Sequence, residues 1–190
     1  RSVGDLAVRQ PAAVRTLSYP VAVWWFLGVM GISLVSWGVV SARRALYPAR
    51  HPVPLPSAPL PSSTTHVVTA TDGTLFNVQL FETSSPRGRL LLCHGYYADR
   101  HQVAGIAEGL RERGYEAALF ELRGHGERSG PCTFGVWETE DAIAVLEWWA
   151  SRDPARKLAI GVLGLSMGAA VMCQAAARVP HVAATLDTVG

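Results

Sequence analysis

The chain has 190 residues, of which 49% are hydrophobic and 17% are charged. A typical soluble domain is about one quarter charged, so this chain is poor in charge for its length. Seventeen Lys and Arg against fifteen Asp and Glu give a formal net charge of +2. With no clustered run of either sign, this composition argues against a nucleic-acid-binding protein and against an acidic disordered tail.

The cysteines indicate neither a disulfide framework nor a metal site. Cys93, Cys132 and Cys173 form no CxxC pair, and their odd number does not suit a set of disulfides. No cluster of His and Cys has the spacing of metal ligands. We therefore expect the cysteines to be small buried side chains, and we expect no metal and no cofactor.

The segment 21–42 is predicted to be a transmembrane helix, which makes the protein a single-pass membrane protein. No charged residue occurs between Thr16 and Ala42, and Arg43 and Arg44 follow. Roughly 20 apolar residues in a helix span a hydrocarbon core of about 30 Å. A buried core helix normally has a polar face, and the apolar run of a signal peptide is normally shorter, but both remain alternatives.

Three further segments surround this span: an N-terminal segment at 1–20, a proline-rich linker at 43–64 and a domain at 65–190. The linker holds six of the twelve prolines, so an extended polyproline II spacer is expected there. Arginines flank the span on both sides in equal number. The side of the membrane on which the domain lies is therefore left open.

The domain alternates predicted strands and helices. Runs at 66–71 and 74–81 flank Asp72-Gly73, which predicts a hairpin with a tight primed turn. Further strands are predicted at 89–93, 115–120, 158–163 and 182–186, and helices at 99–113, 137–151 and 167–179. Asp99 is the predicted cap of the first of these helices. This order is typical of a mainly parallel sheet with helices on both faces.

The sequence Gly164-Leu-Ser-Met-Gly168 lies between a predicted strand and a predicted helix. The chain must reverse there within a few residues, which exposes the hydroxyl of Ser166 at the tip of the turn. A Cβ atom at either glycine would collide with neighbouring backbone. The following helix supplies free N–H groups and positive potential at its N-terminus.

Residues 66–187 resemble the N-terminal part of the catalytic domain of the α/β-hydrolase superfamily, of the esterase, lipase and serine-aminopeptidase kind. Three motifs carry the resemblance: Leu92-Cys-His-Gly-Tyr-Tyr97, Glu121-Leu-Arg-Gly-His-Gly-Glu-Arg-Ser-Gly130, and the Gly-x-Ser-x-Gly turn. The predicted fold is therefore an α/β-hydrolase sheet that is incomplete at its C-terminal side and preceded by one transmembrane helix.

The resemblance implies a serine hydrolase that cleaves an ester or other acyl substrate, a small molecule or a lipid. Ser166 would be the nucleophile that forms an acyl-enzyme intermediate. The backbone N–H groups of Tyr96 and Met167 would form the oxyanion hole, and Gly164 and Gly168 would be the glycines of the nucleophile elbow.

The sequence departs from the family pattern after the serine. The family order is Ser, then an acid, then His, with the last two on later strands. Asp187 is a possible acid, His94 and His125 are weak alternatives for the base, and His181 lies near the wrong edge of the sheet. The base and the acid are therefore expected beyond Gly190, in a longer protein.

Two other functions fit the same pattern: a non-catalytic, membrane-tethered binding or scaffold protein, and a cofactor-free haloperoxidase or lyase on the same fold. The substrate and the oligomeric state are left open. Asp141 is expected to pair with Arg123 or His125, and Trp148 and Trp149 are expected to pack against the sheet.

Overall fold

The computed structural model describes residues 20–48, 60, 62–153, 158–180 and 182–184. The chain divides into two compact units, 1–41 and 42–190. The helices are α1 (Val21–Leu46), α2 (His101–Glu112), α3 (Val136–Ser151) and α4 (Met167–Arg178). The strands are β1 (Thr64–Thr69), β2 (Leu75–Phe81), β3 (Arg89–Cys93), β4 (Glu116–Phe120), β5 (Ile160–Gly164) and β6 (Val182–Ala184).

Helix α1 has 26 residues, none of them buried, and an 18-residue window of mean hydropathy 1.8. It is long and apolar enough to cross a membrane, and it contains the predicted span at 21–42. The helix continues to Leu46, past the predicted end, because Arg43 and Arg44 end the apolar run without ending the helix. Cations in the last helical turn interact favourably with the carbonyl end of the helix dipole.

The six strands form one sheet in the order β1-β2-β4-β3-β5-β6. Strands β1, β2 and β4 pair antiparallel, whereas β4, β3, β5 and β6 pair in parallel. The prediction of a mainly parallel sheet is confirmed. Since the parallel strands share one carboxyl edge, the loops after β3, β4 and β5 meet at that edge.

The predicted tight primed turn between β1 and β2 is wrong. Thr69 pairs with Leu75, which leaves five residues in the connection. The N–H of Gly73 donates to the carbonyl of Ala70, and Gly73 alone in this connection has a positive φ, at 82°. The carboxylate of Asp72 accepts the N–H and the hydroxyl of Thr74, and this side-chain bonding stabilises the longer turn.

Helices cover both faces of the sheet. Helices α3 and α4 pack on one face in the larger hydrophobic core, where Trp149 is fully buried and Trp148 packs at the margin. Helix α2 packs on the other face through Val103 and Ala107. Successive residues of β3 point to opposite faces, so that Leu91 belongs to the first core and Leu92 to the second.

The predicted ends of most helices and strands differ from the observed ends by one or two residues. Helix α2 begins at His101 rather than at 99, and the carboxylate of Asp99 accepts the N–H of His101 at 2.8 Å. Asp99 thus bonds the first turn from outside the helix. Strand β6 is described for 182–184, and the rest of its predicted range, with Asp187, lies outside the described residues.

Candidate active site

Ser166 occupies a sharp turn between β5 and α4. Its φ of 51° and ψ of −117° lie in a region that residues with a side chain rarely adopt, at a cost of about 1–3 kcal/mol. Its side chain is exposed, and the adjacent N–H of Leu165 donates to the carbonyl of Cys93 at 3.0 Å. This bond fixes the turn against the end of β3, so the serine is held at the carboxyl edge of the sheet.

The two glycines of the turn lie where no Cβ atom fits. A Cβ on Gly164 would lie 2.3 Å from the carbonyl carbon and oxygen of Gly168, and one on Gly168 would lie 2.3 Å from the carbonyl oxygen of His94. All of these are backbone atoms, which cannot rotate away. Strand β5, the end of β3 and the start of α4 therefore approach each other at backbone distance.

The loop after β3 lies directly beside the serine. A Cβ on Gly95 would be 3.2 Å from the carbonyl of Leu165 and 3.4 Å from the Cβ of Ser166. Among the hydrogen bonds of the described residues, none uses the N–H of Tyr96 or Met167. Both N–H groups therefore remain available to an acceptor.

Contacts within the unit 42–190 hold the segments that carry Tyr96 and Met167. The hydroxyl of Tyr96 donates to the carbonyl of Ala45 at 2.6 Å, and the N–H of Cys132 donates to the carbonyl of Leu46 at 2.7 Å. The Sγ of Cys132 lies 3.8 Å from the Sδ of Met167. Burial raises the pKa of Tyr96 to about 12, so its hydroxyl stays protonated as a donor.

The two histidines of the site loops are bound within those loops. His94 is fully buried; its Nδ1 donates to the carbonyl of Gly95 at 2.8 Å, and its Nε2 lies 3.1 Å from the N–H of Leu122. Both of its ring nitrogens are thus engaged away from Ser166, which argues against His94 as the base.

His125 is 2% exposed, and its Nδ1 donates to the carbonyl of Arg123 at 2.8 Å. Its Nε2 is buried without a hydrogen-bond partner in the described part of the chain. Burial lowers its pKa, so the ring is neutral at pH 7. The rings of His94 and Tyr96 each lie 5.4 Å from it, centroid to centroid.

An ion-pair network lies behind the loop after β4. Asp141 on α3 is fully buried and accepts two hydrogen bonds of 2.8 Å from Arg123, which confirms the pairing expected for it. The guanidinium of Arg128 is 2.9 Å from the same carboxylate and stacks over Phe76. A third hydrogen bond from Arg123 reaches Asp72 at 2.6 Å and lowers the pKa of that carboxyl group.

A cleft of about 410 Å³ lies between the β1–β2 connection and the loop 121–130, and none of Tyr96, Ser166 and Met167 lines it.

Among the described residues, no side chain forms a hydrogen bond with the hydroxyl of Ser166. Asp187 and His181 lie outside the described residues, so the predicted acid stays a prediction.

Two residues that hold the loop 94–100 had no predicted role. Gln102 accepts the N–H of Gly95 at 2.8 Å, and Glu121 contacts both His94 and Arg100. An acidic residue directly after a strand as apolar as β4 is the signal that could have pointed to Glu121. Gln102 left no comparable signal, because a glutamine on an amphipathic helix is ordinary.

Known proteins resemble the part of the chain that contains this site. A family model described as "alpha/beta hydrolase fold" matches residues 88–186. The uncharacterized protein MT2364 of Mycobacterium tuberculosis is 35% identical over 167 residues, which cover 82% of this chain and 58% of the relative. The chain thus spans less than two thirds of that relative's length.

Two solved structures share the fold. The esterase Pf2001 of Pyrococcus furiosus superimposes with a TM-score of 0.58 and 25% identity, over 66% of this chain and 48% of its own. XC6422 of Xanthomonas campestris, described as an α/β serine hydrolase without lid, has a TM-score of 0.54 and 24% identity, over 64% and 59% of the two chains. The chain belongs to the alpha/beta-hydrolase fold family.

Proposed function

We propose that the protein is a membrane-anchored serine hydrolase that cleaves an ester or another acyl substrate through an acyl-Ser166 intermediate. The observation that carries this proposal is the strained, exposed Ser166 beside two unused N–H groups, those of Tyr96 and Met167. A strained backbone conformation at an exposed residue, where side-chain packing does not impose it, is typical of a functional position. The similarity to an esterase from Pyrococcus furiosus supports the same class of reaction.

In the proposed reaction, the Ser166 Oγ attacks the acyl carbon while a general base takes the hydroxyl proton. The carbonyl oxygen becomes an oxyanion, which the N–H groups of Tyr96 and Met167 stabilise, each by about 3–4 kcal/mol. The base then passes the proton to the leaving alcohol, and water releases the acid and regenerates the serine. The base and its acid partner are proposed to lie outside the described residues, in keeping with the family order.

The membrane part of the proposal rests on α1. Its 26 residues contain no Asp or Glu, and its only charged residues are Arg43 and Arg44 in the last turn. We expect the protein to stay in the membrane fraction after extraction at alkaline pH. Its intact mass should include residues 21–42, because an anchor is retained whereas a signal peptide is removed.

A fluorophosphonate probe tests the catalytic part on the protein expressed from its complete gene. We expect one labelled residue, Ser166, and loss of labelling in Ser166→Ala. Ester turnover in that variant should fall by about 10³-fold or more, since removing a nucleophile leaves only the remaining binding and oxyanion contributions.

Ser129→Ala is the matched control, because Ser129 is an exposed serine at the same edge of the sheet. That variant should keep both labelling and turnover. A folded wild-type protein that takes up no probe would contradict the hydrolase proposal and would favour a non-catalytic binding protein.

A further inference from the structure

The two ends of the loop that carries Tyr96 meet at one buried carboxylate. The loop begins at His94, after β3, and ends at Arg100, the residue that precedes α2. Glu121 follows the end of β4, the neighbouring strand. Its side chain is 5% exposed, and those of His94 and Arg100 are 0% and 4% exposed. Three ionisable side chains are thus enclosed together behind the loop.

The two carboxylate oxygens of Glu121 face the two ends of the loop. Oε1 accepts the backbone N–H of Arg100 at 3.2 Å and lies 3.5 Å from Nη1 of the same residue. Oε2 lies 3.2 Å from Nε2 of His94, but it has no hydrogen-bond partner among the described residues, because that nitrogen accepts the N–H of Leu122. The carboxylate therefore bonds the Arg100 end of the loop and is enclosed against the His94 end, six positions earlier.

The surrounding chain leaves room for this carboxylate. A Cβ on Gly126 would lie 2.4 Å from the carboxyl carbon of Glu121 and 2.5 Å from both oxygens. Gly126 also has a positive φ of 50°, which favours glycine there. An acidic group buried at this point costs free energy unless it is paired, and an apolar side chain at the end of β4 would avoid that cost. Its presence indicates a task that an apolar residue would not perform.

We propose that Glu121 is a positioning residue for the oxyanion hole, acting through its hydrogen bond to Arg100 and its close contact with His94 to fix the N–H of Tyr96 opposite Ser166. This inference rests on the proposed hydrolase function. An oxyanion donor is effective when it lies 2.7–3.1 Å from the developing negative charge. A displacement of a catalytic group by about 1 Å can lower the rate about 100-fold. If the loop 94–100 is held less firmly, we therefore expect kcat to fall while substrate binding changes little.

The test compares Glu121→Gln with Glu116→Gln in the protein expressed from its complete gene. Glu116 is a matched control: it begins the same strand, is also buried, and pairs with Arg89 at 3.0 Å at the opposite edge of the sheet. Glu121→Gln should lower kcat for a p-nitrophenyl ester by about 10- to 100-fold, with KM within about 3-fold of wild type. Glu116→Gln should leave kcat within about 2-fold, although it also removes a buried charge.

Two further measurements make the test independent of how well one variant folds. Glu121→Asp keeps the charge but is one methylene shorter, so it should also lower kcat, and it replaces Glu121→Gln if that variant does not fold. Hydrogen exchange of the amides at 95–99 should quicken at least about 10-fold in either Glu121 variant and stay unchanged in Glu116→Gln.

Equal kcat and equal exchange in the Glu121 and Glu116 variants would overturn the inference. The exchange measurement needs no catalysis, so it separates the two proposals. If the wild-type protein took up no fluorophosphonate but exchange still rose only in the Glu121 variants, the hydrolase proposal would fail while the role of Glu121 in ordering the loop would stand.

Discussion

Two connections leave the same edge of the sheet and are shaped by opposite means. The connection from β5 to α4 is formed by close backbone contact at Gly164 and Gly168, where a Cβ would lie 2.3 Å from backbone atoms. The connection from β4 to α3 is held by buried charged side chains, among them Glu121, Arg128 and Asp141. The first excludes side chains, and the second depends on them.

The two connections should therefore respond differently to substitution, pH and salt. Steric overlap does not depend on pH or salt, so the elbow is sensitive only to added volume. Ion pairs and buried titratable groups depend on protonation, so the connection after β4 should respond to loss of a charge and to pH. Three substitutions, in order of decreasing effect, test this contrast.

Gly168→Ala should have the largest effect. The added Cβ would overlap the carbonyl oxygens of His94 at 2.3 Å and Cys93 at 2.7 Å, and backbone atoms cannot yield as a side chain can. We expect the free energy of unfolding to fall by more than about 3 kcal/mol, equally at pH 6 and pH 8, as measured by urea denaturation.

The matched control for this substitution is Gly105→Ala in α2, where a Cβ meets nothing within 4 Å. That variant should gain about 0.5–1 kcal/mol, because alanine favours the helix. A Gly168→Ala protein as stable as the Gly105→Ala protein would show that the elbow tolerates a side chain.

Asp141→Asn should have the second largest effect. It removes the charge that Arg123 and Arg128 share in the interior, and the loss of one partner leaves buried guanidinium groups without compensation. We expect the free energy of unfolding to fall by about 2–3 kcal/mol in urea denaturation.

Glu140→Gln is the control for Asp141→Asn, since Glu140 is the preceding residue on α3 and pairs with Arg178 at the surface. Its effect should be much smaller, as it is for exposed pairs in general. Equal effects of the two substitutions would mean that the buried network contributes no more than a surface pair.

His125→Gln should have the smallest effect, confined to acidic pH. Because burial lowers the pKa of His125, this residue is protonated at higher pH in the unfolded chain, below about 6.5, than in the folded protein. Wild-type stability should therefore decline from pH 6.5 downward, by at most about 1.4 kcal/mol per pH unit from this residue, and the variant should decline less.

Other ionisable groups face His125, namely His94, Glu121 and Glu138. The comparison is therefore between wild type and variant at each pH, with urea denaturation at pH 5, 6 and 7. Identical slopes in His125→Gln and wild type would contradict a pKa lowered by burial.

The sequence alone was sufficient for the order of strands and helices and for the existence of the elbow. Helices and strands were predicted from the local periodicity of apolar residues. The structure contains each of these elements, with differences only at their ends. The reason for Gly164 is also local, because a strand that turns into a helix within a few residues brings its own backbone together, whereas Gly168 is required by the carbonyl oxygen of His94 at the end of β3.

What the sequence could not supply were contacts between distant positions. The five-residue turn after β1 depends on Asp72 bonding Thr74 and Arg123, and a two-residue Asp-Gly pattern does not contain that partner. The local Asp-Gly pattern therefore mispredicted a turn that a side chain from elsewhere in the chain helps to hold.

Glu121 is the clearest case of a residue whose contacts depend on the folded arrangement of the sheet. In sequence it is one acidic residue inside a motif, 27 positions from His94 and 21 from Arg100. Only the pairing of β3 with β4 in parallel brings the ends of these strands side by side and encloses the carboxylate between the two ends of one loop. The sequence determined where a nucleophile could stand, whereas the packing of neighbouring strands determined what holds the loop beside it, because hydrogen bonds between residues far apart in the chain exist only once the sheet has formed.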